Sequence, residues 1–207
     1  MKETPWLDLA DAFAFLGNSL LAPMSQTGSL GLDPELWESM PTLDKADLEA
    51  KLGSMAGYVS DFSDEEEAVR QVSVEWTHLF VGPPKPACSP WETYYRREGV
   101  TSGFGAATFE MREILRNLGL KADGPSNQFE DHVGIEFLAL SEMCRRMAEG
   151  GEEAFGGERG IRDFLEQHLL YWLPALARNV GAESPNGYFA GLLAYAGRLA
   201  FALAECC

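Results

Sequence analysis

The spacing of apolar residues along the chain restricts its fold more than any other feature. Apolar side chains recur every three or four residues in one segment after another, as on one face of an α-helix. No run of four or more residues alternates apolar and polar positions with β-branched enrichment, the pattern of a half-buried strand. A chain of 207 residues, 46% of them hydrophobic, can bury a sizeable core. We therefore predict an all-α protein that folds as one domain, residues 1–207.

Helix boundaries follow from the same spacing together with capping residues, Gly and Pro. The predicted helices cover residues 6–21, 34–40, 44–60, 63–80, 106–118, 133–149, 161–180 and 188–205. Ser63 is the expected N-cap of the helix over 63–80, since Glu66 three residues later completes a capping box. Asp131 is the expected cap of the helix over 133–149. A polar connector is predicted before this helix and a solvated, Gly/Glu-rich loop over 150–160.

The charge balance is strongly acidic and restricts the classes of partner. Asp and Glu number 32 against 16 Lys and Arg, for a formal net charge of -16 at pH 7. Nucleic acids and anionic membranes need clustered cations, and no Lys/Arg run here is longer than two residues, as at 96–97 and 145–146. Both partner classes are therefore excluded. Any partner attracted by the long-range field is expected to be basic.

The N-terminal segment and the cysteines indicate a cytoplasmic protein. Glu3, Asp8 and Asp11 interrupt the first hydrophobic run, so we expect neither a signal peptide nor a membrane-spanning helix there. The four cysteines form no CxxC pair, and only Cys206 and Cys207 are neighbours. Reduced thiols are the expected state, in a protein that stays in the cytoplasm and is not embedded in a membrane.

Few residues of the chain carry a pattern typical of catalysis. The histidines at 78, 132 and 168 lack the HExxH spacing of a zinc site, and neither a P-loop nor a Gly-x-Ser-x-Gly elbow occurs. We therefore predict no cofactor, no metal and no catalytic residue. Glu130, Asp131 and His132 bring two carboxylates and an imidazole together just before a helix. They fit either an acid/base pair or a helix cap beside a hydrogen-bonded histidine.

A proline-rich loop flanked by aromatic residues is the more informative pattern. Four prolines among residues 82–90 forbid a helix and favour an extended, stiff segment. Trp76 and Phe80 precede this loop, and a Trp and two Tyr follow it within 91–95. Trp and Tyr provide large contact areas at little entropic cost, so the set suits a groove for a partner peptide. Ordinary core packing is the competing interpretation.

Three motifs, in this order along the chain, resemble the signature of the TorD/DmsD/NarJ chaperones. They are WTHLFVGP at 76–83 with PWETYY at 90–95, then DHVGIEFL at 131–138, then FLEQHLLYWLP at 164–174. All of them lie within residues 63–180. Three motifs in one order are far more specific than any one of them.

This resemblance implies a compact helical bundle whose N-terminal part, 1–120, and C-terminal part, 132–207, are joined near Asp131-His132. The implied activity is that of a chaperone, not an enzyme. It would bind the twin-arginine signal peptide, the apo form, or both, of a molybdenum-containing oxidoreductase subunit, and delay export until cofactor insertion and assembly. The peptide-binding residues implied by the motifs are Trp76, Leu79, Phe80, Pro90, Trp91, Glu92, Tyr95, Glu130, Asp131 and His132. The acids are expected to face the leader arginines and the aromatics its apolar segment.

Two other functions stay open at this point. One is a NarJ-like assembly factor that acts on the mature part of a non-exported subunit instead of on a leader. The other is a small-molecule enzyme that uses Asp131 and His132 as acid and base in a small, deep pocket. The oligomeric state is open as well, since two helical halves joined by a connector permit a closed monomer or an exchanged dimer.

Overall fold

The computed structural model describes residues 4–96, 104–121 and 128–207, and within these ranges it contains helices and one isolated β-bridge but no β-strand. The α-helices are α1 (Trp6–Leu21), α2 (Met24–Thr27), α3 (Pro34–Ser39), α4 (Ala46–Ser60), α5 (Glu65–Phe80), α6 (Thr93–Arg96), α7 (Ala106–Asn117), α8 (Val133–Glu149), α9 (Gly157–Gln167), α10 (Leu169–Glu183) and α11 (Tyr188–Cys206). Short 3-10 turns lie at Ser29–Leu32 and Glu152–Ala154. The prediction of an all-α fold is confirmed.

Both predicted N-caps are off by one residue. Asp64, not Ser63, caps α5, because its carboxylate accepts the backbone N–H of Glu67 at 2.8 Å. His132, not Asp131, caps α8, because its Nδ1 accepts the backbone N–H of Gly134 at 3.1 Å. The Asp131 carboxylate is occupied by other donors and so is not free for capping. Neighbouring residues with similar capping ability are not distinguished by sequence alone.

The single helix predicted over 161–180 is two helices. α9 already begins at Gly157, inside the segment predicted as a loop, and ends at Gln167. His168 then leaves helical geometry, with φ -117° and ψ -93°, before α10 begins at Leu169. The physical reason is tertiary, since the His168 side chain makes a buried hydrogen bond to a residue far away in sequence. The apolar spacing within residues 161–180 does not indicate that contact.

The packing of α1 against α8 joins the beginning of the chain to its second half. Two glycines permit the close approach, because a Cβ on Gly17 would lie 2.7 Å from the carbonyl oxygen of Gly134. Likewise, a Cβ on Gly134 would lie 2.6 Å from the carbonyl oxygen of Gly17. Phe13 and Phe137 stack beside this contact with their ring centroids 5.9 Å apart. Any side chain at either glycine would therefore force the two helices apart.

Away from the contact between α1 and α8, α11 is the central helix of the core. It packs against α4, α9 and α10 and buries most of its large side chains. Trp37 of α3 lies edge-on to Tyr188 and Tyr195 of α11, with centroid distances of 6.1 and 6.3 Å. Within the described ranges α11 is the one helix long and apolar enough to cross a membrane. However, 50% of its most apolar stretch is buried inside the fold. The buried core helix of a globular protein passes the same test.

Candidate functional site

An isolated antiparallel bridge brings the first two sequence motifs together. Trp91 pairs with His132 across this bridge, although they are far apart in the chain. The backbone N–H of Glu92 donates to the carbonyl of Asp131 at 3.0 Å, and that of Val133 donates to the carbonyl of Pro90 at 2.9 Å. The proline-rich loop and the start of α8 are thereby fixed side by side.

Asp131 lies at the centre of this junction and is fully buried. Its carboxylate accepts hydrogen bonds from the Thr93 N–H at 3.0 Å, the Thr93 hydroxyl at 2.6 Å and the Thr108 hydroxyl at 3.0 Å. Burial raises the pKa of Asp131, and the hydrogen bonds from Thr93 and Thr108 oppose that shift. Asp131 therefore ties the starts of α6 and α7 to the start of α8. It does not face solvent, contrary to the expectation that it meets a leader arginine directly.

His132 is buried as well and is not part of an acid/base pair. Its Nδ1 accepts the Gly134 N–H, and its ring lies edge-on to Trp91 at a centroid distance of 5.9 Å. Burial lowers the pKa of His132 to about 3. A neutral imidazole and an Asp131 carboxylate that have separate partners do not form the pair that an enzyme of the predicted kind would need.

Glu92, another acid predicted to bind the peptide, forms an ion pair with Arg96. It is fully buried, and its Oε1 accepts from Nε of Arg96 at 2.9 Å. Its Oε2 lies 2.9 Å from Nδ1 of His168, the residue between α9 and α10. Arg96 also donates to Glu110 at 2.6 Å. Both oxygens of Glu92 already have internal partners, so its expected contact with a partner peptide stays a prediction.

Glu136 of α8 extends the buried polar cluster. Its Oε2 accepts the indole N–H of Trp172 at 3.0 Å, and burial together with the Glu92 charge holds its pKa well above the usual range. Glu92, Glu136 and His168 offer three potential metal ligands within 4.8 Å of one another. No sequence motif links these residues, because they belong to three separate segments.

The remaining predicted aromatic residues are divided between the core and the junction. Trp76, Leu79 and Phe80 are buried: Trp76 donates its indole N–H to the carbonyl of Leu20 at 3.0 Å, and Phe80 packs edge-on against α11. Tyr95 packs on the Trp172 ring at 5.1 Å. For these residues core packing, the competing interpretation, describes the structure, and together with the buried Pro90 they support the junction from below.

Above the junction, aromatic side chains form a continuous surface, which we call the aromatic patch. Phe104, Phe109 and Phe129 are exposed, and Trp91 and Tyr94 are half-buried. Phe104 lies 5.0 Å from Phe109 and 5.5 Å from Phe129, measured between ring centroids. Trp91 continues the patch, 6.5 Å from Phe129 and 6.1 Å from Tyr94. Phe109 is 52% exposed, and Phe104 and Phe129 are 42% and 38% exposed. Large exposed aromatics in one patch mark an interaction surface.

One residue of this patch could have been recognised from its position in the sequence. Phe109 lies off the apolar stripe of α7, which buries Met111 and Leu115, so an aromatic side chain on the outer face of that helix was detectable. Phe104 and Phe129 come from segments without regular spacing. Their proximity depends on the junction between Pro90 and Val133.

A cavity of about 910 Å³ adjoins the patch at Phe104. Its wall is formed by residues of α6, α7, α9 and α10, among them Thr93, Ala107, Glu110, Glu166 and Tyr171. Glu110 and Glu166 give the cavity an acidic side, and Phe104 and Tyr171 give it an aromatic one. The volume is in the range of binding pockets for small ligands or for a few residues of a peptide.

The predicted acid Glu130 lies at the edge of the patch. Its carboxylate accepts a hydrogen bond from Nε of Arg112 at 2.6 Å, and this bond lowers the pKa of Glu130. Arg112 also lies over the ring of Phe109, 5.7 Å from its centroid. The patch thus carries acidic and basic groups at its rim.

A sequence profile of the nitrate reductase delta subunit family matches residues 34–178, which is well over half of the chain. The chain belongs to this family. The match contains all the motifs on which the resemblance to the TorD/DmsD/NarJ chaperones rests, and that resemblance is confirmed.

Curated relatives of this delta-subunit family member are named as chaperones. The chaperone protein TorD of Vibrio cholerae is 26% identical over 164 residues, which cover 78% of this chain and 72% of the relative. A perchlorate reductase assembly chaperone protein of Dechloromonas aromatica is 28% identical over 118 residues, 56% of this chain and 51% of the relative. The Tat proofreading chaperone DmsD of Salmonella typhi is 31% identical over 110 residues, 53% of this chain and 47% of the relative. The chain is thus a redox-enzyme chaperone and not an enzyme.

Proposed function

We propose that this chaperone acts in the cytoplasm and binds the twin-arginine leader of an exported molybdenum-containing oxidoreductase subunit until the cofactor is inserted. The aromatic patch beside the acidic cavity is the observation on which the proposal depends. The name of one relative supports it, since DmsD of Salmonella typhi is called a Tat proofreading chaperone.

The chemistry of the surface matches that of such a leader. A leader presents a basic segment followed by a hydrophobic one. The patch offers exposed aromatic rings to the hydrophobic segment, and Glu166 offers a carboxylate to the arginine guanidinium groups, beside Glu110, which already pairs with Arg96 of the cavity wall. The net charge of -16 attracts a basic peptide from a distance.

In this proposal the predicted site residues have two different roles. Trp91 contacts the leader directly as part of the patch, and Glu130 does so at its rim. Asp131, His132 and Glu92 position that surface from below, since they fix the ends of the segments that carry it. The buried aromatics of α5 support the same junction through the core. Direct contact with the leader arginines thus comes from Glu130 and Glu166 and not from Glu92 and Asp131.

The first test is calorimetric titration of a synthetic twin-arginine leader into the full chain at two salt concentrations. Replacing Phe109 by Ser removes an exposed ring from the patch and is expected to weaken binding roughly tenfold. Phe201→Ser is the matched control, because Phe201 is 50% exposed and lies under Arg198, much as Phe109 lies under Arg112. Equal losses in both variants would refute the patch as the binding surface.

The acidic side of the site is tested separately. Glu166→Gln is expected to weaken leader binding at low salt and to reduce its salt dependence, while Glu49→Gln, an exposed acid on α4, leaves both unchanged. A leader with both arginines replaced by lysine should bind more weakly, because lysine cannot form bidentate bonds with a carboxylate. Unchanged affinity for that leader would rule out specific recognition of the arginines.

A second candidate function is assembly of the mature subunit without contact to a leader. The name of the Dechloromonas aromatica relative, an assembly chaperone, favours it. A client that lacks its leader separates the two functions. Retained binding of the leader-deleted client, with loss of binding in the Phe109→Ser variant, would assign the patch to the mature subunit.

A further inference from the structure

The buried cluster beneath the patch has the donor set of a metal site. Glu92 precedes α6, Glu136 lies on α8, and His168 separates α9 from α10. One potential ligand atom from each lies within 4.8 Å of the other two, and all three residues are buried. Two carboxylate oxygens and one imidazole nitrogen are the ligands that Zn²⁺ and neighbouring divalent transition metals accept.

A donor behind each carboxylate fixes which oxygen faces the cluster. Arg96 holds Oε1 of Glu92, and the indole of Trp172 holds Oε2 of Glu136. This leaves Oε2 of Glu92, which contacts His168, and Oε1 of Glu136. Oε1 of Glu136 is buried and accepts no hydrogen bond from a described N–H or hydroxyl group, while the Glu136 carboxyl group lies within hydrogen-bond reach of the Glu92 carboxyl group. Carboxylate ligands of metal ions are commonly held in this way by donors to their second oxygen.

Carboxyl groups outnumber cations around the cluster. Glu92, Glu136 and the adjacent Asp131 are three buried carboxyl groups. Arg96 pairs with Glu92 and is shared with Glu110. A buried excess of carboxyl groups needs compensation, either by protons or by a cation.

Metal–ligand distances of about 2.0–2.2 Å place the ligand atoms of a tetrahedral site roughly 3.3–3.6 Å apart. The three potential ligand atoms lie within 4.8 Å of one another, so the longest separation has to shorten by about 1 Å when a metal binds. A cavity of about 230 Å³ is lined by His168 together with Phe164 and Met143, so it adjoins one of the three potential ligands.

We propose that Glu92, Glu136 and His168 bind one divalent transition-metal cation, with Zn²⁺ as the probe of choice, in a structural site that links α6, α8 and the break between α9 and α10. A cation bound there would connect the three segments that lie beneath the aromatic patch. The proposal does not depend on leader binding and stands or falls by metal binding alone.

The test uses the full chain with Cys206→Ser and Cys207→Ser, because adjacent exposed thiols bind zinc by themselves. After treatment with a chelator, the protein is titrated with Zn²⁺, desalted and assayed for bound metal. We expect about one zinc per chain and a raised melting temperature, since a ligand of the folded state stabilises it. Glu136→Gln and His168→Gln are each expected to weaken zinc binding at least about 100-fold.

His78→Gln is the matched control, since His78 and Glu183 form an exposed pair 2.9 Å apart that could bind zinc adventitiously. It should leave the stoichiometry unchanged. Trp172→Phe keeps all three ligands but removes the donor behind Glu136, and it should weaken binding by about 10–100-fold. Circular dichroism selects the variants that fold. Failure of the parent protein to retain zinc, or unchanged affinity in the folded ligand variants, would overturn the proposal and leave protonation of Glu136 as the way this charge is neutralised.

Discussion

Acid should destabilise this protein through one buried histidine. Burial lowers the pKa of His132 to about 3, against about 6.5 for a histidine in an unfolded chain. A depressed histidine pKa means that the unfolded state binds the proton first. The contribution to stability is therefore complete above pH 6.5 and is lost as the pH falls towards 3. The linkage relation gives a loss of about 2 kcal/mol in the free energy of unfolding between pH 7 and pH 5.

The variant that isolates this effect is His132→Asn. Asparagine is a good N-cap, so its side-chain oxygen can still accept the Gly134 N–H, but it does not titrate. The smaller side chain lowers stability at every pH, whereas the difference between pH 7 and pH 5 should shrink by about 2 kcal/mol relative to the parent chain. Urea unfolding followed by circular dichroism at pH 5, 6 and 7 measures that difference.

His78→Gln is the control, since His78 is exposed. It should keep the pH dependence of the parent chain. An equal pH dependence in the parent chain and in His132→Asn would refute the reasoning, because it would mean that His132 takes up its proton at the same pH in the folded and unfolded states.

Two further substitutions test the packing. Gly134→Ala places a methyl group against the facing backbone of α1 and should lower the free energy of unfolding by about 2–4 kcal/mol, while Gly181→Ala, with open space around its Cα, should change it by less than about 1 kcal/mol in the stabilising direction. Thr108→Val removes one of the hydrogen bonds to the buried Asp131 and should cost about 1–3 kcal/mol, whereas Thr77→Val, an exposed hydroxyl on α5, should cost less than about 0.5 kcal/mol; chemical denaturation measures all four.

Local patterns were sufficient to predict most of the long helices, but not the short α2 and α6. α1 spans Trp6–Leu21, as its apolar stripe and Pro23 predict, and α11 ends one residue beyond the predicted end. These helices bury a regular stripe, so periodicity alone identifies them. The break at His168 was missed because the residue that causes it, Glu92, lies on another segment.

The candidate site was predicted only in its outline. Trp91 and His132, which belong to two of the motifs, lie together at the bridge, but the motifs did not predict this pairing. They did not indicate that Asp131 would be buried under two threonines, because a carboxylate in a polar segment is ordinarily exposed. Phe104 and Phe129 come together through tertiary contacts that no single segment encodes.

The contact between α1 and α8 also has a consequence during synthesis on the ribosome. At about 5–20 residues per second, on the order of ten seconds pass between completion of α1 and the appearance of α8. During this interval Leu9, Phe13 and Leu16 have no α8 to cover them. A nascent chain in that state can close the same glycine contact with α8 of a neighbouring copy on the polysome. The route to an exchanged dimer is then open before the first chain is released.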